Sequence, residues 1–217
     1  MRILIVGAGG HAHVVVDILL RAHAAGASEQ PIGLLDDDSR LHGQRVLGLP
    51  VLGPIAHMDN VMHDALIIAI GDNAVRQRLF QQFRAAGRSF AVARHPGAII
   101  APDVPIGVGV QICAGVVVNP ASVVGENVIL NTACTLDHHN RIGDHVHVAP
   151  GAHTGGEVQM DTGALVGIGA TIAPRCRVGA WSRVGAGAVV LRDVPAEQTV
   201  VGVPARPIPP RLEGFTR

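Results

Sequence analysis

The sequence has almost no aromatic residues: its 217 positions hold no tyrosine, one tryptophan and four phenylalanines. Hydrophobic residues still make up 48% of the chain and charged residues only 16%, which excludes disorder as the main state. A core of aliphatic side chains without rings predicts a narrow, regular interior. The 27 glycines and 14 prolines exceed the usual combined share of about 12%, which favours a periodic β-architecture.

The sequence also lacks an excess of positive or negative charge, and it lacks the paired cysteines of a disulfide framework. Lys+Arg and Asp+Glu both number 17, so the chain has no basic footprint for nucleic acid or for an anionic membrane. The three cysteines, Cys113, Cys134 and Cys176, are too few for a disulfide framework and favour a reducing compartment. The chain has no run of about 18 apolar residues and no signal-peptide pattern. We therefore expect a cytoplasmic protein without nucleic-acid or membrane partners.

Residues 1–98 alternate between strand-like and helix-like segments, which predicts a small parallel α/β sheet of the Rossmann type. Apolar residues at spacings of three and four mark the helices, and short β-branched runs mark the strands. The predicted strands are 2–6, 32–35 and 65–70, and the predicted helices are 11–25 and 74–86. Fewer than a hundred residues suit one mononucleotide-binding unit better than a complete dinucleotide fold.

A glycine-rich loop joins the first predicted strand to the first helix. Gly7, Gly9 and Ala12 match the pattern G-x-G-x-x-[G/A], in which glycines let a phosphate approach a helix N-terminus. Asp36 closes the second strand, where an acidic residue would bind a ribose. These residues favour nucleotide binding, and the alternative is a tight turn without a ligand.

From Ile100 the pattern changes to a strict period of six. Fifteen of the sixteen hexads between Ile100 and Val190 begin with an aliphatic residue, and Thr154 is the exception. The second position is Gly, Asn or Asp in eleven of the sixteen, types that tolerate tight corners or a positive φ. This period predicts a left-handed parallel β-helix over 99–217, with about three hexads per coil and the aliphatic residues inside.

Five histidines gather in one stretch, and two of them, His138 and His139, follow Asp137 at a predicted corner. A carboxylate beside an imidazole can orient it as a general base, whereas the alternative is a set of solvated surface side chains. His147 lies on another side of the same coil and could meet His138 only across a subunit interface. No pair in this cluster is five residues apart, as three-histidine zinc sites in hexapeptide-repeat proteins require, so we expect no metal.

Five segments together resemble the PglD/NeuD-like sugar acetyltransferases, over essentially the whole chain. They are Gly-Ala-Gly-Gly-His at 7–11, Asp-Asp at 36–37, Ala-Ile-Gly-Asp-Asn at 69–73, Asp-His at 137–138 and Val-Gly-Val-Pro-Ala at 201–205. The resemblance implies an acetyl-CoA-dependent enzyme that acetylates the amine of a UDP- or dTDP-linked 4-amino sugar. It also implies a homotrimer with active sites between subunits. O-acetylation of sialic acid or another sugar is the alternative, and a non-catalytic nucleotide-sugar-binding protein is a further one.

The resemblance also implies roles for individual residues. His138 matches the catalytic base, His147 the histidine near the acetyl group, and Gly156 an amide donor near the thioester. The implied coenzyme A groove consists of Gly167, Ile168, Gly185, Ala186, Gly202, Val203 and Pro204. The implied nucleotide-sugar site consists of Gly7, Gly9, Gly10, His11, Asp36, Asp37 and Gly71.

One departure from the family concerns the residue that orients the base. Members often carry an acid directly after the catalytic histidine, and this sequence has His139 there. Asp137 precedes the histidine, so the carboxylate that orients His138 stays open. The proline-rich segment 206–210 is expected to be an extended arm that ends the β-helix and cannot continue the sheet.

Overall fold

The computed structural model describes residues 1–208, which form a small α/β domain followed by a β-helix. The first domain has a three-stranded parallel sheet in the order β2-β1-β5, two helices and a short hairpin. Its elements are β1 (Arg2–Val6), α1 (Gly10–Ala24), β2 (Gln30–Leu35), a 3₁₀ turn (Ser39–Leu41), β3 (Arg45–Val46), β4 (Leu49–Pro50), a 3₁₀ turn (Ile55–Asn60), β5 (Ala65–Ile68) and α2 (Asn73–Ala85). Both predicted helices are present, each beginning one residue earlier than expected.

The central strand β1 is buried on both sides because its side chains alternate between two helices. Ile3 and Ile5 belong to the core that includes α1, whereas Leu4 and Val6 pack in a second cluster with Phe80 and Phe83 of α2. In the part of the chain that the structure describes, neither helix is long and apolar enough to span a membrane.

The β-helix has three parallel sheets that form the faces of a triangular prism. The domain-facing sheet is β6 (Ala93–Arg94), β8 (Gln111–Ile112), β11 (Ile129–Leu130), β14 (His147–Val148), β17 (Leu165–Val166), β20 (Arg183–Val184) and β22 (Thr199–Val201). The second sheet is β7 (Ile99–Ile100), β9 (Val117–Val118), β12 (Thr135–Leu136), β15 (His153–Thr154), β18 (Thr171–Ile172) and β21 (Val189–Val190). The third sheet is β10 (Val123–Val124), β13 (Arg141–Ile142), β16 (Gln159–Met160) and β19 (Arg177–Val178). The strand β6 precedes the first predicted hexad and already pairs with β8.

Successive coils stack with a register of 18 residues, as in the pair Ile129↔His147. The predicted aliphatic positions point inward: Leu130, Leu136 and Val148 are each 0% exposed. The interior of the prism and the α1 side of the first domain form one continuous hydrophobic core.

Of the two possibilities for the second hexad position, a tight corner or a positive φ, the structure shows the tight corner, and no second-position residue among the described hexads has a positive φ. Positive φ recurs instead at the fourth position, for example 55° at Ala133 and 59° at His139. Second-position glycines have a different cause, because the next coil leaves no room for a side chain. A Cβ at Gly107 would lie 2.5 Å from the Gly125 carbonyl oxygen, and one at Gly167 would lie 2.6 Å from that of Val184.

The last coil is shorter, and the chain then turns back on itself. Arg183 pairs with Thr199, a spacing of 16 residues. The strand β23 (Arg206–Ile208) runs antiparallel to β22, so the expectation that this segment cannot continue the sheet is wrong for 206–208. Pro207 is tolerated because β23 is an edge strand and its missing N–H faces away from β22. The rest of the predicted arm lies outside the described residues.

A buried arginine joins the two domains. Arg76 of α2 is 0% exposed, and its guanidinium donates to the carbonyls of Asn127 (3.1 Å) and His145 (2.8 Å) in the β-helix. It also donates to the Asn73 side chain (2.9 Å), whose amide in turn donates to the Gly163 carbonyl (3.0 Å). Burial lowers the Arg76 pKa to about 10, so the group stays charged at neutral pH. This polar seam holds α2 against the domain-facing sheet.

Candidate functional site

The Asp137–His138 corner lies on the edge of the prism between the second and third sheets. His138 is exposed there, and Gly156, one coil later, lies directly against its ring. A Cβ at Gly156 would lie 2.3 Å from His138 Cε1 and 2.6 Å from Nε2. The Glu157 N–H donates to the His138 carbonyl (2.9 Å). The predicted stacking of His138 and Gly156 is therefore confirmed, and a side chain at position 156 would displace the imidazole.

The only non-aliphatic hexad start, Thr154, belongs to this corner. At the other second positions from Ala101 to Gly185 the N–H donates to a backbone carbonyl of the next coil, as Asn119 does to Leu136 (2.9 Å). At Asp137 that bond goes to the Thr154 hydroxyl instead (3.2 Å). The sequence pattern identified Thr154 as the exception among the hexad starts, but it did not predict that this threonine supports the Asp137–His138 corner.

A second buried polar residue, Asn140, supports the corner from inside the prism. Its amide donates to the carbonyls of Asp137 (2.6 Å) and Gly155 (2.9 Å). Ser122, one coil earlier, donates to the same Asp137 carbonyl (2.9 Å) and accepts the Asn140 N–H (3.1 Å). Sequence reasoning missed Asn140, although a large amide at a fifth hexad position, where small or apolar residues are usual, was a usable signal.

The Asp137 carboxylate binds backbone and amide N–H groups rather than the His138 ring. Its Oδ1 accepts the Asn119 side-chain amide (2.9 Å) and the His138 backbone N–H (2.8 Å). These two bonds, the Asn119 one first, lower the pKa of the Asp137 carboxyl. The His138 ring instead places its Nδ1 3.1 Å from Nδ1 of His139, and the two rings are nearly perpendicular at 84°.

The glycine loop is braced by Asp36. The Asp36 carboxylate accepts the N–H of Ala8 (2.7 Å) and of Asp38 (2.8 Å), and Asp37 accepts the N–H of Ile55 (2.9 Å). Gly7 has φ 100°, and a Cβ there would lie 2.9 Å from Ile70 Cγ1. Both aspartates therefore have a structural task in holding this loop.

The remaining loop glycines leave open space at the start of α1. A Cβ at Gly9 or Gly10 would meet nothing within 4 Å. Gly9 is the N-cap, makes no side-chain cap hydrogen bond, and the first turn carries no acidic residue. Backbone N–H groups at such a helix end attract anions, phosphates in particular.

Two half-buried histidines, His11 and His147, lie where this loop meets the β-helix. His11 Nε2 donates to Gln111 Oε1 (2.7 Å), because the Gln111 amide donates to the Ile68 carbonyl (2.8 Å). The His11 ring centroid lies 6.4 Å from that of His147. Burial is the main cause that lowers the pKa of His11, and burial also lowers that of His147, to about 4, helped by the charge of Arg76. Both rings are therefore neutral at pH 7.

A cleft opens beside His147, between the start of α2 and the domain-facing sheet. It has a volume of about 460 Å³. Its walls include Gly71, Asn73, His147, Trp181 and Arg183. Gly71 and His147, predicted for different parts of the site, are thus brought together, whereas His138 lies on the edge opposite this face.

The residues expected to hold coenzyme A line a third place, the edge between the domain-facing and second sheets. Ile168 is 61% and Val203 73% exposed there. Gly167 and Gly185 are required by packing of the next coil, since a Cβ at Gly185 would lie 2.7 Å from Val201 Cγ1. Within residues 1–208, no three His, Cys, Asp or Glu side chains gather in a way that could hold a metal ion.

Comparison with known proteins adds to this geometry. The family model described as PglD N-terminal domain matches residues 2–83. The GDP-perosamine N-acetyltransferase of Escherichia coli O157:H7 is 30% identical over 213 residues, which cover 93% of this chain and 94% of that protein. The chain belongs to the PglD/NeuD-like sugar acetyltransferases.

Solved structures of this family have the same two-part architecture. PerB of Caulobacter crescentus, solved with CoA and GDP-perosamine, is 36% identical with a TM-score of 0.88, covering 96% of this chain and 98% of that one. The acetyltransferase domain of PglB from Neisseria gonorrhoeae FA1090 is 34% identical with a TM-score of 0.86, covering 95% of this chain and 99% of that one. The fold predicted from the sequence is confirmed, and this family member is an acetyltransferase.

The depressed pKa of His147 predicts a loss of stability in mild acid. As the pH falls from about 6.5 towards 4, the unfolded chain takes up a proton that the folded chain does not. The free energy of unfolding should therefore fall by about 2 kcal/mol between pH 7 and pH 5 on account of this residue. Urea unfolding at the two pH values should show a smaller fall for His147→Gln than for the wild type. His23→Gln, a change at an exposed histidine of α1, should keep the full fall, and an unchanged fall in His147→Gln would contradict the assignment.

Proposed function

We propose that this acetyltransferase transfers an acetyl group from acetyl-CoA to the amino group of a nucleotide-linked amino sugar. The observation that carries the proposal is the similarity, over nearly the whole chain, to GDP-perosamine N-acetyltransferases from two organisms. Family structures solved with CoA or with acetyl-CoA support the donor. The cytoplasm, which holds acetyl-CoA and nucleotide sugars, is the proposed location.

His138 is the proposed general base. Its exposed imidazole accepts a proton from the attacking amine, while the lone pair of that nitrogen forms the bond to the thioester carbon. The adjoining Gly156 N–H, which has no hydrogen-bond partner within residues 1–208, stabilises the negative charge that develops on the carbonyl oxygen, a contribution typically worth about 3 kcal/mol. The tetrahedral intermediate then expels the coenzyme A thiolate.

The nucleotide binds at the start of α1 in this proposal. The open N–H groups at Gly9 and Gly10 receive the diphosphate, and the rigid Asp36 brace keeps the loop in shape. The sugar then extends towards the cleft at His147. UDP and dTDP remain predictions for the nucleotide, and GDP joins them because the E. coli and Caulobacter relatives are named for GDP-perosamine.

The active site is proposed to form between subunits of a homotrimer. The glycine loop adjoins the domain-facing sheet through His11 and Gln111, whereas His138 lies on the edge of the prism opposite that sheet. A sugar held at one subunit's loop would have to cross the prism to reach His138 of the same chain. A neighbouring β-helix can present its own His138 without that obstacle.

The first experiment measures thiol release from acetyl-CoA with a panel of acceptors. The panel holds GDP-, UDP- and dTDP-linked amino sugars together with free sialic acid. We expect rapid release with one amino-sugar nucleotide, and His138→Ala should lower its kcat by about 10² or more. Release with sialic acid alone would replace N-acetylation by O-acetylation, and silence across the panel would refute the acceptor class.

A charge at the start of α1 tests the nucleotide site separately from the fold. Aspartate is a better N-cap than glycine, so Gly9→Asp should leave stability unchanged or raise it. Its carboxylate should repel the diphosphate and raise KM for the nucleotide sugar roughly tenfold, with KM for acetyl-CoA unchanged. Gly9→Asn, a neutral cap of the same shape, is the matched control. Equal effects of both variants on both substrates would place the nucleotide elsewhere.

Mixing a variant that lacks the base with a variant that binds the nucleotide sugar weakly tests the shared site. If His138 of one subunit acts on the sugar held by its neighbour, trimers refolded from equal amounts of His138→Ala and Gly9→Asp contain some intact sites. Random assembly predicts recovery of about a quarter of wild-type activity at limiting nucleotide sugar. Recovery should require subunit exchange, so mixing without refolding is the control. No recovery after proven exchange would mean that each chain completes its own site.

A further inference from the structure

We propose that His139 is the positioning residue of the catalytic base: it accepts a hydrogen bond from Nδ1–H of His138 and thereby holds the lone pair of His138 on Nε2. This rests on the proposed function of His138. Family members often carry an acid at this position, and the proposal gives this chain a hydrogen-bonded pair of imidazoles in its stead.

The geometry of the two rings carries the proposal. The Nδ1 atoms lie 3.1 Å apart, within the range of an N–H···N hydrogen bond. The interplanar angle of 84° is compatible with such a bond, because turning one ring about the N···N line leaves donor and acceptor directions unchanged. One Nδ1 must carry the proton and the other must lack it.

No carboxylate takes this task within residues 1–208. Asp137 Oδ1 is engaged by the Asn119 amide and by the His138 backbone N–H. Glu157 and Arg141 line the open groove beside the two histidines, yet none of the ion pairs among the described residues includes His138. His139 is the group that the structure places against a ring nitrogen of His138.

The backbone explains why His139 can reach back. Its φ of 59° is the left-handed value found at successive fourth hexad positions, such as Ala121 and Ala133. The backbone conformation of His139 is therefore shared with the other corners, and only its side chain differs from theirs. The His138 ring is meanwhile confined by Gly156 beneath it, so a hydrogen bond at Nδ1 is enough to select its tautomer.

The consequence is a base whose reactive nitrogen is defined before substrate binds. With Nδ1 protonated, Nε2 of His138 is free to take the proton of the amine. The imidazolium that forms keeps its Nδ1–H bond to neutral His139. Protonation of His139 at Nδ1 would remove the acceptor and place two cations side by side.

The test uses the full-length enzyme labelled with ¹⁵N-histidine, and three substitutions at one position. Asn at 139 tolerates a positive φ and offers Oδ1 where the imidazole offered Nδ1, whereas Gly tolerates the same φ and offers no acceptor. Long-range ¹H–¹⁵N spectra at pH 8, with His138→Gln to assign the signals, report which nitrogen of His138 carries the proton. The third variant, His139→Asp, supplies an acceptor with a charge.

We expect an Nδ1–H tautomer for His138 in the wild type and in His139→Asn, and an Nε2–H tautomer in His139→Gly. The kcat for the acceptor found in the panel should fall roughly 10- to 100-fold in His139→Gly, with both KM values unchanged, and should recover in His139→Asn. His139→Asp should move the acid limb of the kcat/KM profile to higher pH, because a carboxylate stabilises the imidazolium.

An Nε2–H tautomer in the wild type, an unchanged tautomer in His139→Gly, or an unchanged kcat despite a changed tautomer would each overturn the proposal. The spectra need no substrate, so they separate this inference from the proposed function. A panel without any acceptor would refute that function, and the tautomers would still decide whether His139 positions His138.

Discussion

The 18-residue register of the parallel ladder is the constraint on which the rest of this molecule depends. Each coil must place its inward side chain over the one before, and neighbouring strands lie about 4.8 Å apart. A site on an edge of the prism is therefore formed by residues that are one coil apart in the sequence, as His138 and Gly156 are. The edge that carries His138 is rigid because the ladder is rigid, and a loop would not hold an imidazole against a glycine in this way.

At the Asp137–His138 corner the regular ladder is altered by polar groups rather than by an insertion. The Thr154 hydroxyl replaces a backbone carbonyl as partner of the Asp137 N–H, and Asn140 and Ser122 satisfy the corner carbonyls from inside. A buried polar group without a partner costs about 1–3 kcal/mol, so these side chains stabilise the corner by pairing its backbone groups, although Oδ1 of Asn140 itself has no partner within residues 1–208. The hydrogen bonding at Asp137 and the two histidines therefore differs from that of the regular hexapeptide ladder, whereas the neighbouring coils keep the regular bonding.

Hydrogen bonds to backbone carbonyls add to the shared hydrophobic core that holds the α/β domain to the β-helix. Arg76 of the first domain donates to backbone carbonyls of the β-helix, and Gln111 of the β-helix donates to the Ile68 carbonyl of the first domain. The boundary between the domains brings the start of α1 and His147 into one region, where partial burial keeps His11 and His147 uncharged at neutral pH. A few long polar side chains, whose partners lie 40 to 70 residues away, thus help to set the orientation of the glycine loop relative to the prism.

The fold could be derived from the sequence because its determinants are local and repeated: a period of six for the prism, and strand–helix alternation for the first domain. The stacking of His138 on Gly156 followed from arithmetic on that period. The roles of Asn140, Thr154 and Arg76 did not, because each depends on hydrogen bonds between residues far apart in the chain. The direction of the Asp137 carboxylate likewise needed the folded corner, where the His138 backbone competes for it and leaves the ring to His139. The sequence thus determined which residues share an edge, and only the tertiary structure decided which atoms meet there, because hydrogen-bond partners depend on side-chain directions that no period encodes.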